Sequence, residues 1–232
     1  MMSAHDRRVV LLIGISRGIG RGLAAEFLRR GWSVIGTVRS PQDGLEALAE
    51  GTAGSLRIEH LDMTKPEQIV VLRERLASVR LDVLFVSAGI SDDDVPVATI
   101  GDATFNNVMV TNALAPMRII ETFQDLVTDQ GTMAAMSSGQ GSISRNDRGD
   151  FEVYRASKSA LNQLMRSYAA RHRGETRALL LIAPGWVQTG LGGPGARMTV
   201  EESVIGVVDT IQSDHAIGEL RFVDYKNQTI PW

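Results

Sequence analysis

The feature that most constrains the fold of this chain is a repeated pattern in which a short, continuous apolar run is followed by an amphipathic helical segment. Because apolar and polar residues do not alternate within the runs, each run predicts a strand buried on both faces, as in a parallel sheet covered by helices. The runs predict strands at residues 9–13, 33–38, 56–60, 81–86, 132–137 and 178–183. Helices are expected at residues 19–30, 42–50, 66–79, 102–127 and 152–173.

This alternation of strands and helices predicts right-handed crossovers and a doubly wound sheet. We therefore expect an α/β fold, a Rossmann-type parallel sheet of about seven strands with helices on both faces. The 232 residues show no composition break, repeat or low-complexity segment, so residues 1–232 are interpreted as a single domain. Glycine and proline concentrate at residues 184–195, which predicts a long functional loop.

The composition argues against several classes of function. The chain contains no cysteine, which excludes disulfides and thiolate metal sites, and its four histidines show no short metal-ligand spacing, so no metal is expected. A net charge of −3 gives no electrostatic reason to expect nucleic acid or an anionic membrane as a partner. No stretch approaches the ~20 apolar residues that span a bilayer, and the first apolar run is too short for a secretion signal. We therefore expect a cytoplasmic protein.

A glycine-rich turn follows the first predicted strand and has the pattern G-x-x-x-G-x-G. Glycines allow the backbone to approach a pyrophosphate closely, and the helix that follows offers free N–H groups to the phosphates. Such turns also occur for steric reasons alone, but this one lies between a predicted strand and a predicted helix, the context of a dinucleotide fingerprint. The residues expected to bind a nicotinamide cofactor here are Gly14, Ser16, Arg17, Gly18, Ile19 and Gly20.

The end of the second predicted strand bears on the choice of cofactor. A carboxylate at this place would bind the adenosine ribose of NAD, but the sequence has Arg39 and no acid. A guanidinium binds a 2′-phosphate well, and Arg17 is a possible second positive charge. Both arginines are open to the alternative interpretation of solvated surface residues. Their joint placement favours NADP(H), with NAD(H) as the alternative.

A phenol and an ammonium lie four residues apart in the sequence Tyr154-Arg155-Ala156-Ser157-Lys158, on neighbouring faces of one predicted helix. A nearby lysine charge favours the phenolate, so we expect the pKa of Tyr154 to lie below its ordinary value. Such a tyrosine is a candidate proton donor or acceptor at neutral pH. A Tyr-x-x-x-Lys pair by itself is common by chance.

Together, the glycine turn, this pair and the strand order resemble the short-chain dehydrogenase/reductase family over nearly the full chain. The resemblance implies that Tyr154 is the general acid/base and that Lys158 also binds the nicotinamide ribose. It further implies that Ser138 bonds the substrate oxygen and that Asn112 supports a proton-relay water. The segments 185–187, 192–194, 200–203 and 230–232 resemble sniffer-type carbonyl reductases and bacterial C-factor proteins.

Two of these assignments have alternatives in the sequence. Ser137 and Ser142 compete with Ser138, which is favoured because it lies just past a strand end, where ligands approach such sheets. Asn112 is open to interpretation as a buried asparagine that only bonds a backbone group. Pro116 removes the helical hydrogen bond to the Asn112 carbonyl and favours a kink there.

The resemblance also assigns cofactor contacts elsewhere and shows departures from the family pattern. Val86 and Ser87 replace the two asparagines of the family's Asn-Asn-Ala-Gly, which puts the usual side-chain support of that strand in doubt, and Ile13 replaces a common threonine. The further residues that the resemblance places at the cofactor are Asp62, Met63, Ala88, Gly89, Pro184, Gly185, Val187 and Thr189.

The expected function is an NADP(H)-dependent carbonyl reductase or alcohol dehydrogenase that acts on a small molecule. The alternative is a cofactor-binding signalling protein with secondary or no turnover, although such a protein has no need of the tyrosine. Too few residues follow Lys158 for the substrate domain of a sugar epimerase. The family implies a homodimer or homotetramer. Substrate contacts are expected from residues 91–95, 144–153 and 186–198, and the acidic run 92–94 is either a cation-binding element or a solvated loop.

Overall fold

The computed structural model describes residues 7–41, 44–174, 176–213 and 218–232. Its strands are β1 (Val9–Ile13), β2 (Ser33–Val38), β3 (Ser55–His60), β4 (Leu81–Val86), β5 (Val127–Met136), β6 (Ala178–Ala183) and β7 (Leu220–Asp224). Its α-helices are α1 (Gly18–Arg29), α2 (Pro66–Arg75), α3 (Asp102–Met109), α4 (Ala115–Phe123), α5 (Glu152–Arg171) and α6 (Val200–Gln212). None of the helices in these ranges is long and apolar enough to cross a membrane.

The strands form one parallel sheet in the order β3-β2-β1-β4-β5-β6-β7. The chain leaves β1 toward one edge of the sheet and returns through β4 toward the other, so the direction of winding reverses between these two strands. In such sheets a crevice opens beyond the carboxyl ends of the strands at this switch point, and ligands bind there. The predicted α/β doubly wound fold is confirmed.

Two hydrophobic clusters cover the two faces of the sheet, and β1 shows why the apolar runs do not alternate. Val10 and Leu12 belong to the cluster that includes residues of α1 and α6, whereas Leu11 and Ile13 belong to the cluster that includes residues of α2, α4 and α5. The four residues from Val10 to Ile13 are therefore each buried against one helical layer or the other. Each buried leucine or isoleucine contributes roughly 1.5–3 kcal/mol relative to an exposed one.

The predicted strands match the structure closely, whereas two predicted helices do not. The single helix expected over 102–127 is interrupted by a π-helical turn at Val110–Leu114, because Pro116 has no N–H to continue the α-helical ladder. The chain then enters β5 at Val127 instead of residue 132. The helix expected over 42–50 is reduced to a 3-10 turn at Glu46–Ala49, and residues 42–43 lie outside the described ranges.

Candidate active site

The turn between β1 and α1 is shaped by three glycines. Gly14 and Gly18 have φ angles of 93° and 55°, which other residues rarely adopt. A Cβ on Gly20 would lie 1.8 Å from the Gly14 carbonyl oxygen, and a Cβ on Gly14 would lie 2.7 Å from the Cβ of Ala88. The turn therefore needs glycine at Gly14 and Gly20 for its own packing, as the steric interpretation of the motif expects.

The start of α1 presents its backbone without side-chain competition. Arg17 is the N-cap residue and makes no side-chain capping bond, and the first turn contains no acidic residue. The N–H groups of this turn and the positive end of the helix dipole are consequently open to an anionic group. These features fit the pyrophosphate of a dinucleotide, as the sequence predicts.

Thr37, at the end of β2, is a buried residue of the site that the sequence analysis missed. Its hydroxyl oxygen accepts a hydrogen bond from the Gly14 N–H at 3.0 Å, and its carbonyl oxygen accepts one from the Ile15 N–H at 2.9 Å. The two bonds join the glycine turn to the second strand. A hydroxyl-bearing residue in an otherwise apolar strand is the sequence signal that points to such a bond.

Arg39 and Asp62 lie just after β2 and β3, where the adenosine end of the cofactor is expected. Arg39 is exposed directly after β2, beside the expected adenosine position. Burial by itself would raise the pKa of the Asp62 carboxyl, but hydrogen bonds from Thr64 and the nearby charges of Arg39 and Lys65 hold it below its ordinary value. Asp62 is therefore an anionic hydrogen-bond acceptor. Met63 lies in the hydrophobic core, so a cofactor contact at this residue would use the backbone.

The four residues expected to carry the chemistry meet at the carboxyl end of the sheet. Tyr154 on α5 hydrogen-bonds to the Ser138 hydroxyl, which follows β5. The Lys158 Nζ donates a hydrogen bond to the Met136 carbonyl at 3.0 Å and lies 5.7 Å from the centre of the Tyr154 ring. A Cβ on Gly89 would lie 3.2 Å from the Asn112 Oδ1 and 3.4 Å from the Lys158 Nζ, so both side chains converge on the loop after β4.

Burial shifts the pKa of the two titratable groups in opposite directions. It raises the pKa of the Tyr154 phenol to about 12, although the hydrogen bond with Ser138 lowers it, and it lowers the pKa of the Lys158 ammonium to about 8. The expectation that Lys158 brings the tyrosine pKa below its ordinary value is wrong. The desolvation of the phenol outweighs a lysine charge that is directed at the Met136 carbonyl.

The three candidate serines differ in their hydrogen bonds. The buried Ser137 hydroxyl donates to the Asn162 Oδ1 at 2.7 Å, and the buried Ser142 hydroxyl donates to the Pro231 carbonyl at 2.6 Å. Ser138 is the one that reaches Tyr154, and its oxygen also accepts a bond from the Gln140 N–H at 3.1 Å. This geometry favours Ser138, whose catalytic role stays a prediction.

The Asn112 side chain is fully buried and holds the loop after β4 in place. Its Oδ1 accepts a bond from the Ile90 N–H at 2.9 Å, and its Nδ2 donates to the Ile90 carbonyl at 2.7 Å and to the Ser157 hydroxyl at 3.0 Å. Ser157, which the sequence analysis did not single out, donates in turn to the Tyr154 carbonyl at 2.7 Å. The side chain thus bonds backbone groups, as its alternative interpretation expects. A role of Asn112 in holding a water stays a prediction.

At the end of β4, where Val86 and Ser87 replace the two asparagines of the family pattern, backbone hydrogen bonds hold the strand in place. The N–H groups of Ser87 and Ala88 both donate to the Ile13 carbonyl, at 3.0 and 2.9 Å. The ends of β1 and β4 are therefore joined without the two asparagines of the family pattern. Ala88 and Gly89 consequently keep a defined position beside the glycine turn.

The loop after β6 lies against the phosphate turn. Val187 is buried and pairs with Met198 in a short bridge, and the Thr189 Oγ1 accepts a bond from the Gly192 N–H at 3.1 Å. The Thr189 methyl carbon lies 3.4 Å from the position of a Cβ on Gly18. The end of this segment thus lies next to the turn where the sequence predicts the cofactor phosphates. Among the described residues, no group of three or more histidine, aspartate or glutamate side chains is placed to hold a metal ion.

Comparisons with known proteins agree with this geometry. Residues 14–206 match the family described as enoyl-(acyl carrier protein) reductase. The chain resembles the structure of a short-chain dehydrogenase/reductase from Burkholderia multivorans with bound NADP, with a TM-score of 0.94 and 49% identity over 98% of this chain and 100% of that one. A carbonyl reductase from Pseudomonas aeruginosa PAO1 in complex with NADP gives a TM-score of 0.89 and 38% identity over 98% and 100% of the two chains. The C-signal of Myxococcus xanthus is 34% identical over 158 residues, 66% of this chain and 93% of that protein.

Proposed function

Because the chain belongs to the short-chain dehydrogenase/reductase family of NAD(P)-dependent oxidoreductases, we propose that it interconverts a small carbonyl compound and its alcohol with NADP(H) as cofactor. One observation carries the proposal. The Tyr154 phenol is hydrogen-bonded to Ser138 and lies beside Lys158. Both lie beyond the carboxyl ends of the strands, where the glycine turn would hold a dinucleotide. A protein that only binds a cofactor does not require this arrangement.

NADP(H) is supported by the residues at the adenosine end of the site and by the bound cofactor of the two similar structures. Arg17 and Arg39 supply positive charge for a 2′-phosphate, and the β2 end offers no carboxylate for a ribose hydroxyl. When bound, the nicotinamide supplies or accepts the hydride. The residues that would hold the cofactor are Gly14, Ser16, Arg17, Gly18, Ile19, Gly20, Arg39, Asp62, Met63, Ala88, Gly89, Tyr154, Lys158, Pro184, Gly185, Val187 and Thr189.

The proposed roles of the side chains follow from their charge states. The Tyr154 phenol, whose pKa is raised by burial, is protonated at neutral pH, and we propose that it would donate this proton to the oxygen of a carbonyl substrate. Ser138 would donate a hydrogen bond to the same oxygen and orient it. Lys158 would bind the nicotinamide ribose, and Asn112 would support the water through which the proton is replaced.

A signalling function is the second candidate, because the C-signal of Myxococcus xanthus is among the similar proteins. The hydrogen-bonded Tyr154 favours the enzyme over that alternative. A cytoplasmic location, a small-molecule substrate and assembly into a homodimer or homotetramer belong to the same proposal.

The proposal is tested by incubating the protein with NADPH and a panel of small ketones, aldehydes and quinones, with absorbance of the reduced nicotinamide as the readout. The wild type is expected to oxidise NADPH with at least one compound, and Tyr154→Phe is expected to be slower by about 10²–10⁴-fold, the usual contribution of a general acid. Tyr225→Phe, which removes a hydroxyl from a residue with no proposed role in catalysis or cofactor binding, serves as the control. Equal rates for the wild type and Tyr154→Phe across the panel would refute the proposal.

A further inference from the structure

The candidate serine Ser138 lies in a short stretch after β5, here called the serine segment (residues 137–141). At its start, the Ser137 N–H donates a hydrogen bond to the neighbouring strand β6 at 2.8 Å. At its end, the Gly141 N–H donates to the Ser138 carbonyl at 2.9 Å and closes a 3-10 turn. A Cβ on Gly139 would meet no atom within 4 Å, so packing at the middle of the turn does not hold it. The position of the Ser138 hydroxyl therefore depends on what fixes the two ends of the segment.

One side chain bonds to both ends. The Asn162 Oδ1 accepts a hydrogen bond from the Ser137 hydroxyl at 2.7 Å, and its Nδ2 donates one to the Gly141 carbonyl at 3.2 Å. Asn162 is 4% exposed and both partners are buried, so bulk water does not compete for these bonds. An amide supplies the acceptor and the donor from one group, whereas a carboxylate lacks the donor and an aliphatic side chain lacks both.

The serine segment also packs tightly against α5. A Cβ on Gly141 would lie 3.0 Å from the Cβ of Lys158 and 3.1 Å from the Asn162 Nδ2, so only glycine allows this approach without a shift of the helix. The Gly141 carbonyl accepts a second hydrogen bond, from the Ser159 hydroxyl at 3.0 Å. The end of the segment is therefore fixed to the helix by two donors.

The place of Asn162 on α5 relates these bonds to the reacting groups. Tyr154, Lys158 and Asn162 follow one another at intervals of four residues, so they lie on successive turns of one helix face. The Lys158 Nζ donates to the Met136 carbonyl at the end of β5, and Asn162 bonds to the next residue, Ser137. The helix that carries the phenol thus also determines where the serine segment lies.

We propose that Asn162 is a positioning residue that holds the Ser138 hydroxyl at hydrogen-bonding distance from the Tyr154 phenol. Its own bonds go to Ser137 and Gly141, so it acts on the reacting groups through the serine segment. The inference rests on the proposed function, because Ser138 and Tyr154 are the pair that would bind the substrate oxygen. A bond to that oxygen strengthens as negative charge develops on it, so a misplaced donor lowers the rate more than the affinity.

Asn162→Leu keeps the branched shape of the side chain and removes both hydrogen bonds. With NADPH and a carbonyl compound that the wild type reduces, this variant is expected to lower kcat by about 10–100-fold and to change KM by less than about threefold. Ser137→Ala removes one of the two bonds with little change in packing, and it is expected to lower kcat by about 3–10-fold. Tyr168→Phe is the matched control, because it removes a hydrogen bond to Gln124 from the far end of the same helix and should keep kcat.

A double-mutant cycle separates positioning from a general loosening of the fold. Ser138→Ala lacks the hydroxyl that Asn162 would position, so adding Asn162→Leu should lower kcat by no more than about twofold further. A merely structural role predicts that the two effects multiply. Thermal unfolding of each variant sets the assay temperature well below its Tm, since the lost buried bonds are expected to lower the Tm by about 2–10 °C.

The carbon NMR signal of the Tyr154 Cζ gives a readout that needs no turnover. The chain has three tyrosines, so in protein labelled at the tyrosine Cζ the variant Tyr154→Phe identifies this signal. The Cζ shift responds to hydrogen bonding at the phenol oxygen. Ser138→Ala is expected to move the signal, Asn162→Leu and Ser137→Ala to move it in the same direction, and Tyr168→Phe to leave it in place.

The outcomes separate this inference from the proposed function. A Tyr154 signal that stays in place in Asn162→Leu and in Ser137→Ala would overturn the role of Asn162, and so would kcat effects that multiply in the cycle. If Asn162→Leu does not fold, Ser137→Ala decides by the same two readouts, with Ser138→Ala as its partner in the cycle. A signal that moves as expected, with no turnover of any carbonyl compound by the wild type, would refute the proposed function alone.

Discussion

At the scale of single residues, the site depends on two groups whose charges are set by burial. Burial raises the pKa of the Tyr154 phenol to about 12 and lowers the pKa of the Lys158 ammonium to about 8, so both groups carry their protons at neutral pH. The same burial has a cost in stability, because a group whose ordinary charge state is disfavoured by the fold lowers the free energy of unfolding at the pH where it would be charged.

Lys158→Met tests this cost. The pKa of Lys158 is lowered from 10.5 to about 8 on folding, so between pH 8 and pH 10 this side chain binds more protons in the unfolded chain than in the folded protein. The penalty is complete below the folded pKa and is relieved as the pH rises toward the unfolded one. Relative to Lys158→Met, the cofactor-free wild type should therefore gain about 2 kcal/mol of unfolding free energy over this window. Denaturant titrations at several pH values measure it, and parallel pH curves for the two proteins would contradict the assigned shift.

Arg39→Ala tests the basis of cofactor choice. If Arg39 binds the 2′-phosphate, its removal should weaken NADPH binding by about tenfold or more, the usual effect of losing one charge-assisted hydrogen bond, and should leave NADH binding unchanged. Fluorescence titration of both cofactors measures the ratio. Arg166→Ala, an exposed arginine on α5, is the control. An unchanged NADPH to NADH ratio in Arg39→Ala would mean that another group makes this contact.

At the scale of elements, the sequence predicts strands better than helices. A strand buried on both faces is a short apolar run, and few different structures produce that pattern. The sequence of the π-helical turn at Val110–Leu114 continues the residue pattern of an α-helix. The break near Pro116 is therefore predicted only as a kink. The strand Leu220–Asp224 and the helix Val200–Gln212 are not located by residue from the sequence, because the strand lies at the edge of the sheet and contains Arg221, and the helix follows a long loop.

The residues of the candidate site likewise divide into those that the sequence predicts and those that it does not. Tyr154 and Lys158 are predictable because a spacing of four residues and a family resemblance are local signals. Thr37 and Ser157 are missed because their partners are far apart in the sequence, with Thr37 bonded to Gly14 and Ser157 bonded to Asn112. Nothing local tells which buried hydroxyl bonds to which distant group.

Gly14→Ala tests the packing between the ends of β1 and β4. The new methyl would lie 2.7 Å from the Cβ of Ala88 and would sit on a backbone with a φ of 93°. The variant is expected to lose about 1–3 kcal/mol of unfolding free energy through overpacking and backbone strain. Adding Ala88→Gly should recover only the part that comes from the clash, since the strained φ remains. Thermal and denaturant unfolding of the four proteins in this cycle measure the coupling, and additive effects would show that the two elements are not packed as described.

At the scale of the whole molecule, the groups of the candidate site lie beyond the carboxyl ends of the strands of one sheet, although the residues span most of the chain. Gly14 follows β1, Gly89 follows β4, Ser138 follows β5 and Thr189 follows β6, while Tyr154 comes from the helix after β5. No single segment contains the site, so its geometry depends on the complete doubly wound fold. The loops that follow the carboxyl ends of the strands are the part that differs most between relatives of such a fold and that sets its substrate.

We propose that Tyr154 would supply the proton and that bound NADPH would supply the hydride that the substrate carbon receives. The most direct measurement uses NADPH deuterated at the hydride position, with mass analysis of the alcohol formed from any carbonyl compound that the panel identifies. The wild type should give an alcohol with one deuterium on the carbinol carbon, and Tyr154→Phe at saturating NADPH should form about 10²–10⁴-fold less product. An alcohol without deuterium, or an undiminished rate in Tyr154→Phe, would contradict the account.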